Sequence, residues 1–350
     1  MTLRLNSAGV MNYSLKSWPV YLVGMGLMIL FIANISFGSV PIPFYKVFSA
    51  LFGQGDTQDT LYSIIWQLRI PKAVTCIVAG AALSIGGLLM QTLFRNPLAG
   101  PDVLGLSSGA SLMVAFVILI GASTASYLPA VNPWSLAVAA SFGSGAIFLL
   151  VLIVAQRVRD NTSLLIIGLM IAAASGSLVS VLQYLSKAQD LQAFVIWTLG
   201  SVGGTGWNEI LILTLLLIIG GTISITSVKA LNAWLLGDNY AQSLGVDIKK
   251  SRLKIVLATS LLTGGVTAFC GPIAFVGLAV PHLIRLLVPT TNHKILLPMV
   301  MMGGAVLLLL CDILAQLPGS SNVLPLNAIT SIIGAPVVIW VVMRSKGVKM

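Results

Sequence analysis

The chain has 350 residues, of which 57% are hydrophobic and only 8% are charged, whereas soluble domains carry about 25% charged residues. Its formal net charge of +10 would by itself be compatible with nucleic-acid binding. A chain with so few charges cannot cover a water-exposed surface, so the composition excludes an ordinary soluble protein. We predict an all-helical, polytopic membrane protein.

Ten apolar stretches have the length that a membrane-spanning helix needs, about 17–25 residues. The first is too long for a signal-peptide core and is predicted to be a retained helix. The stretches are residues 18–37, 73–93, 103–121, 134–155, 163–185, 208–227, 253–270, 272–288, 295–315 and 324–343. They form one predicted transmembrane domain over residues 18–343.

Two of these stretches have distinctive compositions. The second contains seven small residues between Ala79 and Gly87, which favours close helix packing at the centre of a bundle, with a pore-lining helix as the alternative. Between the seventh and eighth, Gly271 and Pro272 interrupt a continuous apolar run. They predict a sharp break or a re-entrant turn, so a nine-span topology remains an alternative.

The basic residues are distributed asymmetrically along the predicted spans. With ten spans and the N-terminus inside, only four of the 19 face outward, namely Lys46, Arg69, Lys72 and Lys187. This asymmetry follows the positive-inside rule, so the net charge indicates topology and argues against nucleic acid as a partner. Segments 1–17 and 344–350 are therefore predicted to be cytoplasmic.

Residues that usually indicate catalysis or metal binding are sparse. The three cysteines are isolated, the two histidines form no metal-ligand motif, and no phosphate-binding loop or nucleophile elbow occurs. We predict a protein that is not an enzyme and holds no metal or cofactor. His282, within an apolar stretch, is expected to be a hydrogen-bonded core residue.

Charged residues are nearly absent from the predicted spans, and only Asp312 lies well inside one. An ion-coupled carrier would show several intramembrane carboxylates or symmetrically interrupted helices. This pattern predicts a transport pathway that is driven by a partner, with an ion-coupled carrier and a membrane scaffold as the alternatives.

Five polar or Gly/Pro-rich stretches between the spans carry a family resemblance. They are residues 66–72, 94–110, 236–245, 271–282, and 324–326 together with 333–336. In these motifs and their order, from Trp66 to Arg344, the chain resembles the FecCD family, the permeases of type II ABC importers for ferric siderophores, haem and cobalamin.

The resemblance implies a ten-helix permease in the bacterial inner membrane that pairs with a second copy of itself. A metal chelate would cross from periplasm to cytoplasm by alternating access along the homodimer interface. Two ATPase subunits would hold ATP and Mg and drive the cycle, and a periplasmic or lipid-anchored binding protein would deliver the cargo. Cobalamin, ferric siderophore and haem all stay open as cargo.

The resemblance also implies docking residues for the binding protein. Arg69 and Lys72 match the family's docking cations, although Lys is not equivalent to Arg in bidentate carboxylate recognition. Gln316 stands where some relatives have a third docking arginine, so fewer salt bridges are expected. Simple snorkelling of the two cations to the membrane surface is the alternative.

Three further sets of residues are carried over from the family motifs. The cytoplasmic gate comprises Asn96, Pro97, Leu98, Thr162 and Ser163. The ATPase coupling segment, at about 230–250, comprises Leu236, Gly237, Asp238, Ala241, Leu244 and Gly245. The hinge or packing residues are Gly271, Pro272, Gly334 and Pro336.

Each of these sets also has a purely structural explanation. Asn161, Thr162 or Ser163 could simply cap a helix. The coupling segment could be a solvated loop whose basic neighbours anchor the topology. The glycines and prolines could serve static packing and helix breaks.

Overall fold

A computed structural model describes residues 18–38, 42–52, 60–120, 133–158, 161–316 and 323–345. The predicted cytoplasmic segment 1–17 and residues 346–350 of the predicted tail lie outside these ranges. Within them the chain forms helices and no strands, as the composition predicts.

The helices are numbered here in chain order. They are α1 (Trp18–Ser36), α2 (Phe44–Leu51), α3 (Thr60–Leu93), α4 (Leu106–Ile120), α5 (Pro133–Arg157), α6 (Asn161–Leu185), α7 (Ala188–Thr198), α8 (Trp207–Thr226), α9 (Val228–Trp234), α10 (Asp238–Ser243), α11 (Ile248–Cys270), α12 (Val276–Leu287), α13 (His293–Ala315) and α14 (Leu326–Ser345).

Each of the ten predicted apolar stretches coincides with all or most of one of these helices or with part of a longer one. Seven of them, α1, α3, α5, α6, α8, α11 and α13, are long and apolar enough to cross a membrane. Of the other three, α4 and α12 are shorter apolar helices, and the apolar part of α14 is the shorter stretch Leu326–Trp340. The positions of the helices are thus confirmed for the described residues, whereas ten complete crossings stay a prediction.

Helix α3 begins well before the predicted start at residue 73. It continues through Pro71 because a π-helical turn at Ile65–Arg69 directly precedes the proline. Such a turn already displaces the regular hydrogen-bond ladder, so the missing N–H of Pro71 is accommodated there. The docking cations Arg69 and Lys72 consequently lie within the helix and not in a loop before it.

The predicted break between the seventh and eighth stretches is confirmed. Helix α11 ends at Cys270, Gly271 has a φ of +70°, and residues 271–275 are not helical. A β-carbon on Gly271 would lie 2.7 Å from the carbonyl oxygen of Trp197, so the turn has room only for glycine. The twelve residues of α12 make a helix of about 18 Å, which is shorter than the hydrocarbon core of about 30 Å.

Helix α3 lies at the centre of the bundle, packed against α8, α11, α12 and α13. Its small residues permit contacts at backbone distance. A β-carbon on Gly80 would lie 2.3 Å from the carbonyl oxygen of Gly304, and one on Gly87 would lie 1.7 Å from that of Gly277. The packing interpretation of this helix is confirmed, because these positions are buried against other helices.

Candidate functional sites at the two ends of helix α3

The predicted docking cations lie at the N-terminal end of α3, which is the outer end in the predicted topology, beside a buried carboxylate of α13. Lys72 Nζ lies 3.0 Å from Asp312 Oδ1. Asn34 Nδ2 and Gln316 Nε2 donate hydrogen bonds to Asp312 Oδ2, at 2.8 and 2.7 Å. Asp312 is only 3% exposed. Its charge is therefore satisfied by a cation and two amides, as a buried carboxylate requires.

Arg69 joins the same cluster through a side chain that is only 9% exposed. Its Nη1 donates to Gln316 Oε1 at 2.9 Å and to the carbonyl oxygen of Phe37. Gly38 makes this approach possible, since a β-carbon there would lie 1.7 Å from Arg69 Nη1. The side chain of Lys72 is 19% exposed, so it is the more accessible of the two predicted docking cations.

Gln316 bridges the two charges of this cluster. Its carboxamide oxygen accepts from Arg69, and its nitrogen donates to Asp312. An arginine at this position could donate but could not accept a hydrogen bond. Because glutamine can both donate and accept, Gln316 connects Arg69 to Asp312 where an arginine could not. Sequence reasoning missed Asn34 and Gly38, which carry no motif.

The predicted gate turn forms the C-terminal end of α3, which is the inner end in the predicted topology. The helix ends with two hydrogen bonds, from Asn96 N to Gln91 O (3.1 Å) and from Arg95 N to Thr92 O (3.3 Å). They define a Schellman motif, in which Arg95 takes the left-handed position with a φ of +47°. Asn96 Oδ1 then accepts from Leu98 N at 2.9 Å. This local network holds the turn in a defined conformation.

Two neighbouring helices contact this turn through side chains. His282 Nε2 donates to the carbonyl oxygen of Pro97 at 2.7 Å, and Asn161 Nδ2 donates to the carbonyl oxygen of Leu93. The expectation that His282 is a hydrogen-bonded core residue is confirmed, because its side chain is buried and makes this hydrogen bond. Its contact with the gate turn was not predictable from its lone position in an apolar stretch.

The two predicted gate elements are brought together by the Asn161 contact. Asn161 begins α6, so Thr162 and Ser163 follow directly beside the inner end of α3. Leu98 is 46% exposed, and Thr162 is exposed as well. Both side chains are thus accessible on the surface of a single copy. The gating role of these residues stays a prediction.

The predicted coupling segment forms the short helix α10, which begins at Asp238. It ends in a second Schellman motif, with hydrogen bonds from Gly245 N to Gln242 O (2.8 Å) and from Val246 N to Ala241 O (3.0 Å). Gly245 takes the left-handed position, with a φ of +81°. The segment is therefore a capped helix with an ordered end and not an irregular loop.

Helix α10 and the residues that flank it bury one side chain deeply and expose large apolar groups. Ala241 is fully buried, whereas Leu236, Tyr240 and Leu244 are each more than half exposed. Gly237, which precedes the helix, has a φ of +109° and open space around it. Tyr240 was not among the predicted coupling residues. Its position becomes evident only when the helix shows which side faces outward.

An ion pair connects the gate turn to α10. Arg95 Nη2 contacts Asp238 Oδ1, and the two side chains are 45% and 41% exposed. From the sequence, Arg95 is only one of many cytoplasmic charges that indicate topology. The pairing joins residues that are far apart in the chain, so no local signal indicates it.

The hinge or packing residues lie at close contacts. A β-carbon on Gly334 would lie 2.4 Å from the Cβ of Phe275, and Pro336 lies inside α14. Pro272 follows Gly271 in the break after α11. The close contacts of Gly271 and Gly334 favour the packing interpretation, and a hinge role stays a prediction.

A cavity of about 200 Å³ lies between the gate turn and the non-helical segment 271–275. Its lining includes Leu98, Gly100, Asp102, Phe275 and Leu278. No group of three or more His, Cys, Asp or Glu side chains in the described part of the chain could hold a metal ion. The cavity therefore offers space beside the gate without a metal-ligand cluster.

Comparison with known proteins places the whole bundle among membrane permeases. The model of the FecCD transport family matches residues 26–344. The hemin transport system permease protein HmuU of Yersinia pestis is 34% identical over 321 residues, which cover 91% of this chain and 93% of that protein. The vitamin B12 import system permease protein BtuC of Klebsiella pneumoniae is 36% identical over 283 residues, covering 81% and 83%.

The fold has a solved counterpart. A structure described as an inward-facing conformation of a metal-chelate type ABC transporter matches with a TM-score of 0.81 and 26% identity. The match covers 94% of this chain and 100% of that chain. The family match includes both ends of α3, with the predicted docking cations, the gate turn and α10. The chain therefore belongs to the FecCD transport family.

Proposed function

We propose that this protein is the transmembrane permease subunit of an ATP-binding cassette importer that moves a metal chelate from periplasm to cytoplasm. The observation that best supports the proposal is the arrangement of α3. One deeply buried helix carries the predicted docking cations at its outer end and the predicted gate turn at its inner end. Relatives named as haem and vitamin B12 permeases support the same assignment.

The energy for transport would come from two ATPase subunits that hold ATP and Mg. Helix α10 and the residues that flank it are the proposed contact, because they expose Leu236, Tyr240 and Leu244 at the predicted cytoplasmic end of the bundle. Exposed apolar groups on a short helix suit insertion into a partner's groove. This chain would then contribute the pathway, and its partners would carry out the hydrolysis.

The cargo would arrive on a periplasmic or lipid-anchored binding protein with acidic docking residues. Lys72 is the accessible cation at the outer end, and Arg69 lies behind it within hydrogen-bonding distance of Gln316. An acidic partner would compete with Asp312 for these cations. Such charge pairing would mainly set the rate and register of docking.

A second copy of the chain would complete the pathway, with alternating access at the interface between the two copies. Leu98 and Thr162 are exposed in a single copy, as residues that approach a partner's gate would have to be. The proposed cargo is a metal chelate, namely a corrinoid, haem or a ferric siderophore. The assembly would lie in the bacterial inner membrane.

Reconstitution in liposomes tests this proposal. The permease is purified with its ATPase and supplied with the binding protein carrying cobalamin, haem or a ferric siderophore in separate experiments. We expect ATP hydrolysis to rise, and one cargo class to accumulate, only when the loaded binding protein is present. An ATPase variant that cannot hydrolyse ATP is the matched control.

Two outcomes would contradict the importer proposal. Hydrolysis that does not respond to any loaded binding protein would remove the coupling to cargo. Uptake that needs no ATP but follows an imposed proton or sodium gradient would instead indicate an ion-coupled carrier.

A further inference from the structure

The turn after α3 contains an unusual backbone conformation. Among the described residues, only Arg95 and Phe275 combine a side chain with a positive φ. In a Schellman motif this position is usually glycine, because a β-carbon on an L-residue is strained in the left-handed conformation. Arg95 therefore occupies a position at which the backbone itself favours glycine.

The end of α10 provides an internal comparison. It has the same pair of Schellman hydrogen bonds, yet glycine, Gly245, occupies the left-handed position. The backbone of the turn thus does not need an arginine. What distinguishes the turn after α3 is the side chain of Arg95, whose guanidinium reaches Asp238.

Asp238 is the first residue of α10, the helix that we propose contacts the ATPase. The ion pair consequently joins the start of that helix to the residue directly before the gate turn at 96–98. Both side chains are largely exposed, so the pair contributes little to stability. A contact with little effect on stability can still determine how two neighbouring segments are positioned.

The other contacts of the turn are of a different kind. His282 and Asn161 donate to the backbone carbonyl oxygens of Pro97 and Leu93. They hold the turn against α12 and α6, which belong to the bundle. The Arg95 contact instead reaches the cytoplasmic helix α10, whose exposed apolar groups are available for a partner.

We infer that Arg95 and Asp238 are positioning residues, through which a displacement of α10 moves the gate turn. The inference rests on the proposed function, in which the ATPase acts on α10. A displacement of Asp238 would be transmitted through the guanidinium of Arg95 to the adjacent Asn96, Pro97 and Leu98. The link would be separable from folding, because glycine at position 95 would form the same turn without the ion pair.

The link can be tested on the permease alone, in lipid nanodiscs, by labelling Leu98→Cys with a water-soluble maleimide. The native cysteines Cys76, Cys270 and Cys311 are buried, which keeps background labelling low. In this background, Arg95→Glu and Asp238→Arg should each change the labelling rate about threefold, as expected for loss of one exposed ion pair. The double variant, which restores opposite charges, should return to the parent rate.

A matched control is Lys294→Glu, which reverses an exposed charge in the first turn of α13, outside the coupling segment, and should leave the rate unchanged. Single variants that label like the parent would overturn the inference. So would a double variant that stays as altered as the singles, because the effect would then arise from each charge separately and not from their pairing.

The reconstituted complex extends the test to coupling. Arg95→Gly should fold like the parent and hydrolyse ATP, but move about threefold less cargo for each ATP hydrolysed, by the same loss of one ion pair. Unchanged cargo per ATP would overturn the inference. Failure of the importer proposal would look different, since the parent complex itself would not respond to loaded binding protein while the labelling result would stand.

Discussion

The two ends of α3 carry similar charges in very different surroundings. At the outer end, Lys72 pairs with Asp312, which is almost completely buried and also accepts from two amides. At the inner end, Arg95 pairs with Asp238 in contact with water. The first pair is part of the packed bundle, and the second connects the bundle to the short helix α10.

The difference shows why two ion pairs, each between a cation and an aspartate, have unequal roles. A buried charge loses its hydration, so removing one partner leaves an unsatisfied charge at high cost. An exposed pair loses little hydration and gains little stability. We therefore expect the outer end to govern whether the bundle holds together and the inner end to govern how the gate turn is positioned.

The largest expected effect follows from removing the buried carboxylate. Asp312→Ala should lower the free energy of unfolding by about 3–5 kcal/mol, because Lys72 would lose its only described counter-ion in a buried cluster. Thermal unfolding of the purified protein in detergent measures the change.

The matched control replaces both partners of the pair, with Lys72→Met and Asp312→Leu in one protein. It should recover part of the lost stability, since no lysine is left without its counter-ion, whereas Arg69 still loses the nearby carboxylate. If Asp312→Ala unfolded at the parent temperature, the assignment of a structural role to the outer pair would be wrong.

A smaller effect is expected from disturbing the body of α3 between its ends. Gly87→Ala should cost about 2–3 kcal/mol, because the added β-carbon would lie 1.7 Å from the carbonyl oxygen of Gly277. Gly221→Ala is the control, as no atom lies within 4 Å of the corresponding β-carbon. Equal unfolding temperatures for the two variants would contradict a tightly packed α3.

The smallest effect is expected at the residue that bridges the outer charges. Gln316→Arg should cost about 1–2 kcal/mol, because Arg69 would lose an acceptor and gain a neighbouring cation. It should also make association with the binding protein more sensitive to salt. Val323→Arg adds the same charge at an exposed site and serves as the control.

Association measured at low and high salt separates these outcomes. A steeper salt dependence of association for Gln316→Arg than for Val323→Arg would support a role of position 316 in docking, which the inner end of α3 does not share. An identical dependence would show that position 316 does not communicate with the docking surface.

Several features could be predicted because they depend on local composition. The ten apolar helices follow from the length of uncharged sequence, and the break at Gly271 follows from a glycine and a proline in an apolar run. The small residues of α3 predict close packing, which the contacts of Gly80 and Gly87 confirm. In each case the physical cause acts within a few residues of the chain.

The charge networks could not be predicted in the same way. Asn34 and Asp312 are 278 residues apart, and Arg69 and Gln316 are 247 residues apart. No periodicity or spacing relates such positions, and Gln316 looks only like a lost docking arginine. Its bridging role depends on the distance between α3 and α13, which packing of the whole bundle determines.

The sequence by itself determined that the chain is an apolar helical bundle of the FecCD transport family, because hydropathy and motifs are properties of short segments. Only the tertiary structure decided that the outer cations turn toward Asp312 and that Arg95 reaches Asp238. A side chain's charge is encoded at one position. Its partner, its exposure and hence its energetic weight depend on which helices the fold brings together.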